Sequence, residues 1–277
     1  MSGVLTIAAY ALRESTRRRV FVVVLVLTVV FLGLYGAAAE AAFDAIAEET
    51  GETSVGATLL GLAMFTTLFL GCVLAVFLTL GAVRGDAERG LLQPLVVRPV
   101  GRTELLAGRF AAAAGVCGGY VAAVYAAAVV ITGVAGGWWP DRPISPGLGL
   151  MAGVVLIAAL ALLGSIFLSA TANGIAVFMV FGAGLVAGLL GQIGEALAVK
   201  TLEDVATVTS WLLPFEALYQ AGLHALTQDI GGVEGVIVRL GPFGGAQEGG
   251  PLLWLWSAAY LALIAGAARL AFARRDL

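Results

Sequence analysis

No charged side chain occurs between Arg142 and Glu195, a run of 52 residues. A helix rises about 1.5 Å per residue and the hydrocarbon of a bilayer is about 30 Å thick, so about 20 residues cross it once. The long run is therefore two crossings. Its one polar interruption, Ser169-Ala170-Thr171-Ala172-Asn173-Gly174, predicts the turn between them. Shorter uncharged runs add one crossing each: 20 residues from Val20 to Ala39, 31 between Glu52 and Arg84, 31 between Arg109 and Asp141, and 20 from Gly249 to Ala268. Backbone polar groups in hydrocarbon must bond to one another, which selects helices for single segments of this kind. The expectation is an all-α polytopic membrane protein, a single transmembrane domain over 1–277, with six helices at 20–39, 56–83, 105–135, 148–169, 174–194 and 251–272.

Composition agrees. Charged residues make up 12% and apolar ones 60%, with mean hydropathy +1.00, whereas soluble domains carry about 25% charged residues. A net charge of -3 leaves no basic surface for nucleic acid. The charges are also sorted by side. Arg13, Arg17, Arg18 and Arg19 precede the first span, Arg84, Arg89, Arg98, Arg102 and Arg109 fall between the second and third, and Arg269, Arg274 and Arg275 follow the sixth. These are 12 of 15 basic residues, and Lys and Arg accumulate in cytoplasmic loops. Both termini are expected in the cytoplasm, with the chain in the cell (inner or plasma) membrane. Glu40, Asp44, Glu48, Glu49 and Glu52 fall in the first loop of the opposite side, and Trp254, Trp256 and Tyr260 lie near one end of the sixth span, where an aromatic belt belongs. The first apolar stretch, at 20 residues, exceeds the 7–15 of a secretory leader and is read as a span.

Several chemistries find no support. Ion-coupled carriers and proton pumps place ionisable groups within the membrane, and none interrupts the charge-free runs. Intramembrane hydrolysis would need paired Asp, Ser with His, or two His on one helix face, and His224 is the single histidine. The segment Gly194 to Thr201 around Lys200 lacks the second glycine that a P-loop requires. No enzymatic activity, no cofactor and no metal site is expected in this chain. Cys72 and Cys117 fall inside spans as packing residues. Gly115–Gly119, Gly149–Gly153 and Gly184–Gly188 match a helix-packing spacing, but 38 glycines in 277 residues give about five such pairs by chance.

Two stretches outside the spans carry information. Residues 3–19 place Val4, Ile7, Ala8, Ala11 and Leu12 on one helical face and Thr6, Arg13 and Arg17 opposite, the pattern of a helix lying in the interface. The 84–104 loop sets Leu91, Leu92, Leu95 and Val96 among charges. An apolar patch of this kind marks a contact site; the alternative is burial in the headgroup region.

The order of these features is specific. A basic amphipathic start, a span, an outer loop and a second span lead to Glu88-Arg89-Gly90-x-Leu92, then Arg98-Pro99-Val100-x-Arg102-x-Glu104-Leu105-Leu106-x-Gly108-Arg109. This resembles the membrane subunit of an ABC-2 type ABC transporter over nearly the whole chain. The resemblance implies a six-span, type V exporter-like permease with an N-terminal elbow helix over 3–19 and a cytoplasmic coupling helix in 84–104. It also implies a second copy of the chain and a separate ABC ATPase subunit that holds the ATP and Mg. In the ATPase groove Leu91, Leu92 and Leu95 would form the seat, and Asp86, Glu88, Arg89, Arg98 and Arg102 would set register. Pro94 departs from an unbroken coupling helix because it lacks a backbone donor.

The extracytoplasmic stretch 195–250 is expected to hold one amphipathic helix from Pro214, with Phe215, Leu218, Tyr219, Gly222, Leu223 and Leu226 inward and Gln220, His224 and Gln228 in water. The resemblance implies that this element closes the exit side of an export path for a hydrophobic or amphipathic substrate. Two other readings stay open here: an ABC-2-like subunit that assists maturation of an extracytoplasmic metalloenzyme, and a stand-alone carrier.

Overall fold

The computed structural model describes residues 19–79, 102–228 and 249–273. The elbow expected over 3–19 lies outside the described residues except for Arg19, and so does the coupling loop up to residue 101. Eight helices are described: α1 (Arg19–Thr50), α2 (Glu52–Thr79), α3 (Arg102–Gly136), α4 (Ile144–Phe167), α5 (Ala170–Leu197), α6 (Lys200–Leu212), α7 (Pro214–Thr227) and α8 (Pro251–Ala273). Helices α1 to α5 and α8 are long and apolar enough to cross a membrane, and no strand occurs among the described residues.

Helix α1 does not stop at Ala39. It runs 32 residues to Thr50, about 48 Å at 1.5 Å per residue, so the segment expected as an acidic loop is a helical extension of the span. Charge marks where hydrocarbon ends, while Ala and Glu in 37–49 keep the helix going. Gly51, at φ 81, turns the chain into α2, a left-handed conformation that suits glycine.

The turn between α4 and α5 is also tighter than expected. Leu168 and Ser169 are extended (ψ 153 and 160) and α5 begins at Ala170, so Thr171 to Gly174 are helix rather than loop. Asn173 is 1% exposed and donates Nδ2 to the Ala161 carbonyl at 2.8 Å. Gly164 on α4 leaves room for its amide, which a Cβ there would strike. The polar residue that looked like a loop signal is a clamp between antiparallel helices.

The core forms where α2, α3 and α4 meet: Leu60, Met64 and Leu68, then Cys117, Val121 and Ala128, then Leu150, Val154 and Ile157 are buried together. Cys72 and Cys117 are free thiols packed in this core. Helix α1 leans on it by one stripe. Thr28 Oγ1 and Tyr120 OH are 2.6 Å apart, as are Tyr35 OH and Thr132 Oγ1, while Val22, Val26, Val29 and Leu34 face outward. In lipid, helix association rests on close packing and such hydrogen bonds, because acyl chains are as apolar as Leu.

Gly71 tests that packing. A Cβ there would stand 2.8 Å from Val154 Cγ2 and 3.0 Å from Val121 Cγ2, both in the core, whereas one at Gly115 meets nothing within 4 Å. Gly71→Val is expected to destabilise the folded protein by about 1–3 kcal/mol through overpacking, with Gly115→Ala unchanged, read as unfolding midpoints of the detergent-purified chain.

Candidate functional site

Of the eight residues expected to contact an ATPase, Asp86, Glu88, Arg89, Leu91, Leu92, Leu95 and Arg98 lie outside the described residues. Arg102 is the first residue of α3, and Glu104 follows in its first turn, where a carboxylate complements the helix dipole. The 22 residues between Thr79 and Arg102 thus join two helices that pack on each other. The start of α3 is braced: Leu106 packs with Leu162 and Ile166 of α4 and Ala268 and Phe272 of α8.

The opposite end of the bundle differs from expectation. Between α5 and α8 the described residues form two short helices, α6 and α7, joined at Leu213 with Pro214 at the first helical position of α7. Proline belongs there because its missing N–H has no helical partner to lose. Helix α7 runs antiparallel along α4. Gly222 faces Pro146, Gly149 faces the Leu218 carbonyl, where a Cβ would come within 2.9 Å, and Gly153 faces the Phe215 carbonyl at 3.3 Å. Position 153 is nine residues into α4, so Pro214 and Phe215 stand about 14 Å inside the bundle from the start of that helix. The α6–α7 pair is re-entrant.

Its inward face is as expected for Phe215, Leu218, Tyr219, Gly222, Leu223 and Leu226, all buried. The face expected in water is not: Gln220 is buried, and His224 and Gln228 are half-buried. Glu216 is 2% exposed. The absence of an ionisable group from the charge-free runs is thus no guide to the interior, because this carboxylate enters it from a connecting segment. The outer face of α6 has no long apolar run that would mark a helix in the sequence: Val205, Val208, Trp211 and Leu212 are exposed and interspersed with polar residues. Trp256 Nε1–H donates to the Trp211 carbonyl at 2.9 Å, and the two indoles stand 5.5 Å apart. Tyr260 lies 6.1 Å from Trp256 on the same helix.

Three helices meet around Glu216. Gly188 on α5 lies against its Oε1 and against Gln220 Nε2, so glycine is what admits both side chains. Gln192 donates Nε2 to Gln220 Oε1 at 3.4 Å. Glu216 Oε1 is buried and accepts no hydrogen bond. Burial raises its carboxyl from the ordinary 4.5 to about 7, and the hydrogen bond with Gln220 offsets only part of this; a charge in low dielectric is costly and neutralises instead. Tyr219, its neighbour, is buried with its hydroxyl unbonded and is pushed up by burial and by Glu216. By contrast Thr66, Thr67, Thr79 and Ser165 bond to carbonyls of the preceding turn, as hydroxyls within helices do.

The glycine pairs now sort themselves. Gly149–Gly153 on α4 and Gly184–Gly188 on α5 both hold α7, whereas Gly115 and Gly119 face open space. The sequence model of a family described as ABC-2 family transporter protein matches residues 5–277. A search of curated proteins found no match.

Glu216 makes stability depend on pH in a definite direction. Its folded value, about 7, lies above the ordinary 4.5, so between these pH values the folded chain holds a proton that the unfolded chain has released. Its contribution is complete below the lower value and lost as pH rises through the upper one. At about 1.4 kcal/mol per pH unit, Glu216→Gln is expected to stabilise the protein by roughly 3 kcal/mol at pH 8, with the gain gone near pH 4.5. Unfolding midpoints of both proteins across that range check it; equal midpoints at pH 8 would contradict the assignment.

Proposed function

We propose, from the premise that this chain belongs to the ABC-2 family of transporter proteins, that it is the permease subunit of an ATP-driven exporter. Among the described residues six helices are long and apolar enough to cross a membrane, and the family is a membrane transport component rather than a catalyst. ABC-2 permeases work with ABC ATPase subunits, and here the ATP and Mg would sit on that separate subunit. The observation that carries the reading is the family match from residue 5 to residue 277, which takes in the charged and apolar 84–104 segment between α2 and α3.

An ATPase that moves on binding and hydrolysing ATP must push on something stiff. In this reading Leu91, Leu92 and Leu95 form the apolar seat. Asp86, Glu88, Arg89, Arg98 and Arg102 fix register by charge pairing, which governs specificity more than affinity. Motion delivered at the ends of α2 and α3 reaches α4, on which both pack, and through α4 reaches α7. Two copies of the chain would face each other across the path, with the termini and the 84–104 loop on the cytoplasmic side of the cell (inner or plasma) membrane. The re-entrant α6–α7 pair would then lie on the exit side, and the largely apolar walls suit a hydrophobic or amphipathic substrate.

The test is a reconstituted complex with the native ATPase. Glu88→Ala with Arg89→Ala is expected to cut substrate-stimulated ATP hydrolysis several-fold, about the loss of one or two exposed charge pairs, while membrane insertion and the unfolding midpoint stay as in the parent. Unchanged stimulation sinks the docking assignment.

A further inference from the structure

We propose that the open cavity between α5, α6 and α7 is a binding site for the ammonium group of an organic amine, with Glu216 as its counter-charge. The inference concerns this chain alone and does not rest on the ATPase docking argued above.

The cavity has a volume of about 290 Å³ and is lined by Glu216 and Gln220 of α7, Gln192 and Glu195 of α5, and Glu203 and Thr207 of α6, among others. Three carboxylates line it and, among the described residues, no Lys or Arg does, so these walls focus a negative potential. Glu195 is exposed and Glu203 half-buried, whereas Glu216 is 2% exposed with Oε1 accepting no hydrogen bond. Carboxylates at the rim would draw a cation in from water, and the deep one would meet it where water no longer competes. A buried acceptor without a partner is costly, and an ammonium N–H supplies that partner as a charge-assisted bond.

The polar frame is held ready. Gln192 donates to Gln220, which orients the Gln220 amide beside Glu216, and Gly188 leaves room for both. The site is thus assembled on three helices packed around it rather than on a loop.

The chemistry of the cation follows from size and donor set. Among the described residues no group of three Asp, Glu, His or Cys is placed to hold a metal ion. The volume equals about ten waters at ~30 Å³ each, which fits an ammonium with several methylenes and is far larger than a bare ion. Primary amines carrying a short alkyl chain match both the charge and the space.

The experiment uses the purified full-length chain in lipid nanodiscs at pH 8, titrated with hexylammonium, hexan-1-ol and hexanoate and with protein-free discs subtracted. Saturable binding of hexylammonium alone is expected. Glu216→Gln should weaken it by about tenfold or more, the loss of one charge-assisted bond, while the unfolding midpoint stays at or above that of the parent. Should that variant not fold, Glu195→Gln with Glu203→Gln at the solvated rim decides, with an expected loss of about threefold at low salt. Equal binding of hexan-1-ol, unchanged affinity in these variants, or displacement of hexylammonium by millimolar Ca²⁺ would each overturn the proposal, the last in favour of a metal ion.

Discussion

The architecture at one end of this bundle depends on how closely α7 can approach α4. Gly149 and Gly153 let the Leu218 and Phe215 carbonyls come against the α4 backbone, an approach that leaves no room for a Cβ at 149 and little at 153. Everything else at this end follows from it. With α7 seated so deeply, its opposite side falls against Gly184 and Gly188 of α5, and the chain must return along α6 to make the entry. A 14-residue helix is too short to cross hydrocarbon, so its polar residues are tolerated only because protein, not lipid, surrounds them.

The crossings are legible in the sequence because charge is so costly in lipid that its absence alone marks them. The same reasoning misplaces the ends of helices. Glu40 to Thr50 is polar enough to leave the membrane and helical enough to stay in α1; these are separate properties, and charge reports only the first. Asn173 shows the converse error, since an amide that looks like a turn residue is equally suited to bridging two helices once its Nδ2 reaches the Ala161 carbonyl. Neither distinction is local, and each depends on what lies across the helix interface.

Glu216 is the deepest failure of local reading, and it has a physical reason. A carboxylate in a short segment between spans looks solvated, because nothing in its neighbourhood says that Pro214 lies about 14 Å inside the bundle. The signal was divided between distant parts of the chain: a Glu and a Gln four apart on α7, and glycines four apart on α5 that leave the space they occupy. Either pattern alone is commonplace. The glycine spacing was visible but had the frequency expected by chance, and only the contact separates Gly184–Gly188 from Gly115–Gly119.

The two ends of the molecule also differ in how they could respond to force. At the end where α3 begins, Leu106, Leu162, Ile166, Ala268 and Phe272 form a compact apolar cluster, which transmits displacement because close-packed side chains do not compress. At the other end the contacts around Glu216 are polar, with an unbonded Oε1 and a 3.4 Å amide bond. Helix α4 joins the two ends, since it packs on α2 and α3 and also carries α7. Displacing α7 relative to α5 by a fraction of a helical turn would change the distance between Glu216 and Gln192, and with it the environment that keeps the carboxylate's charge so costly.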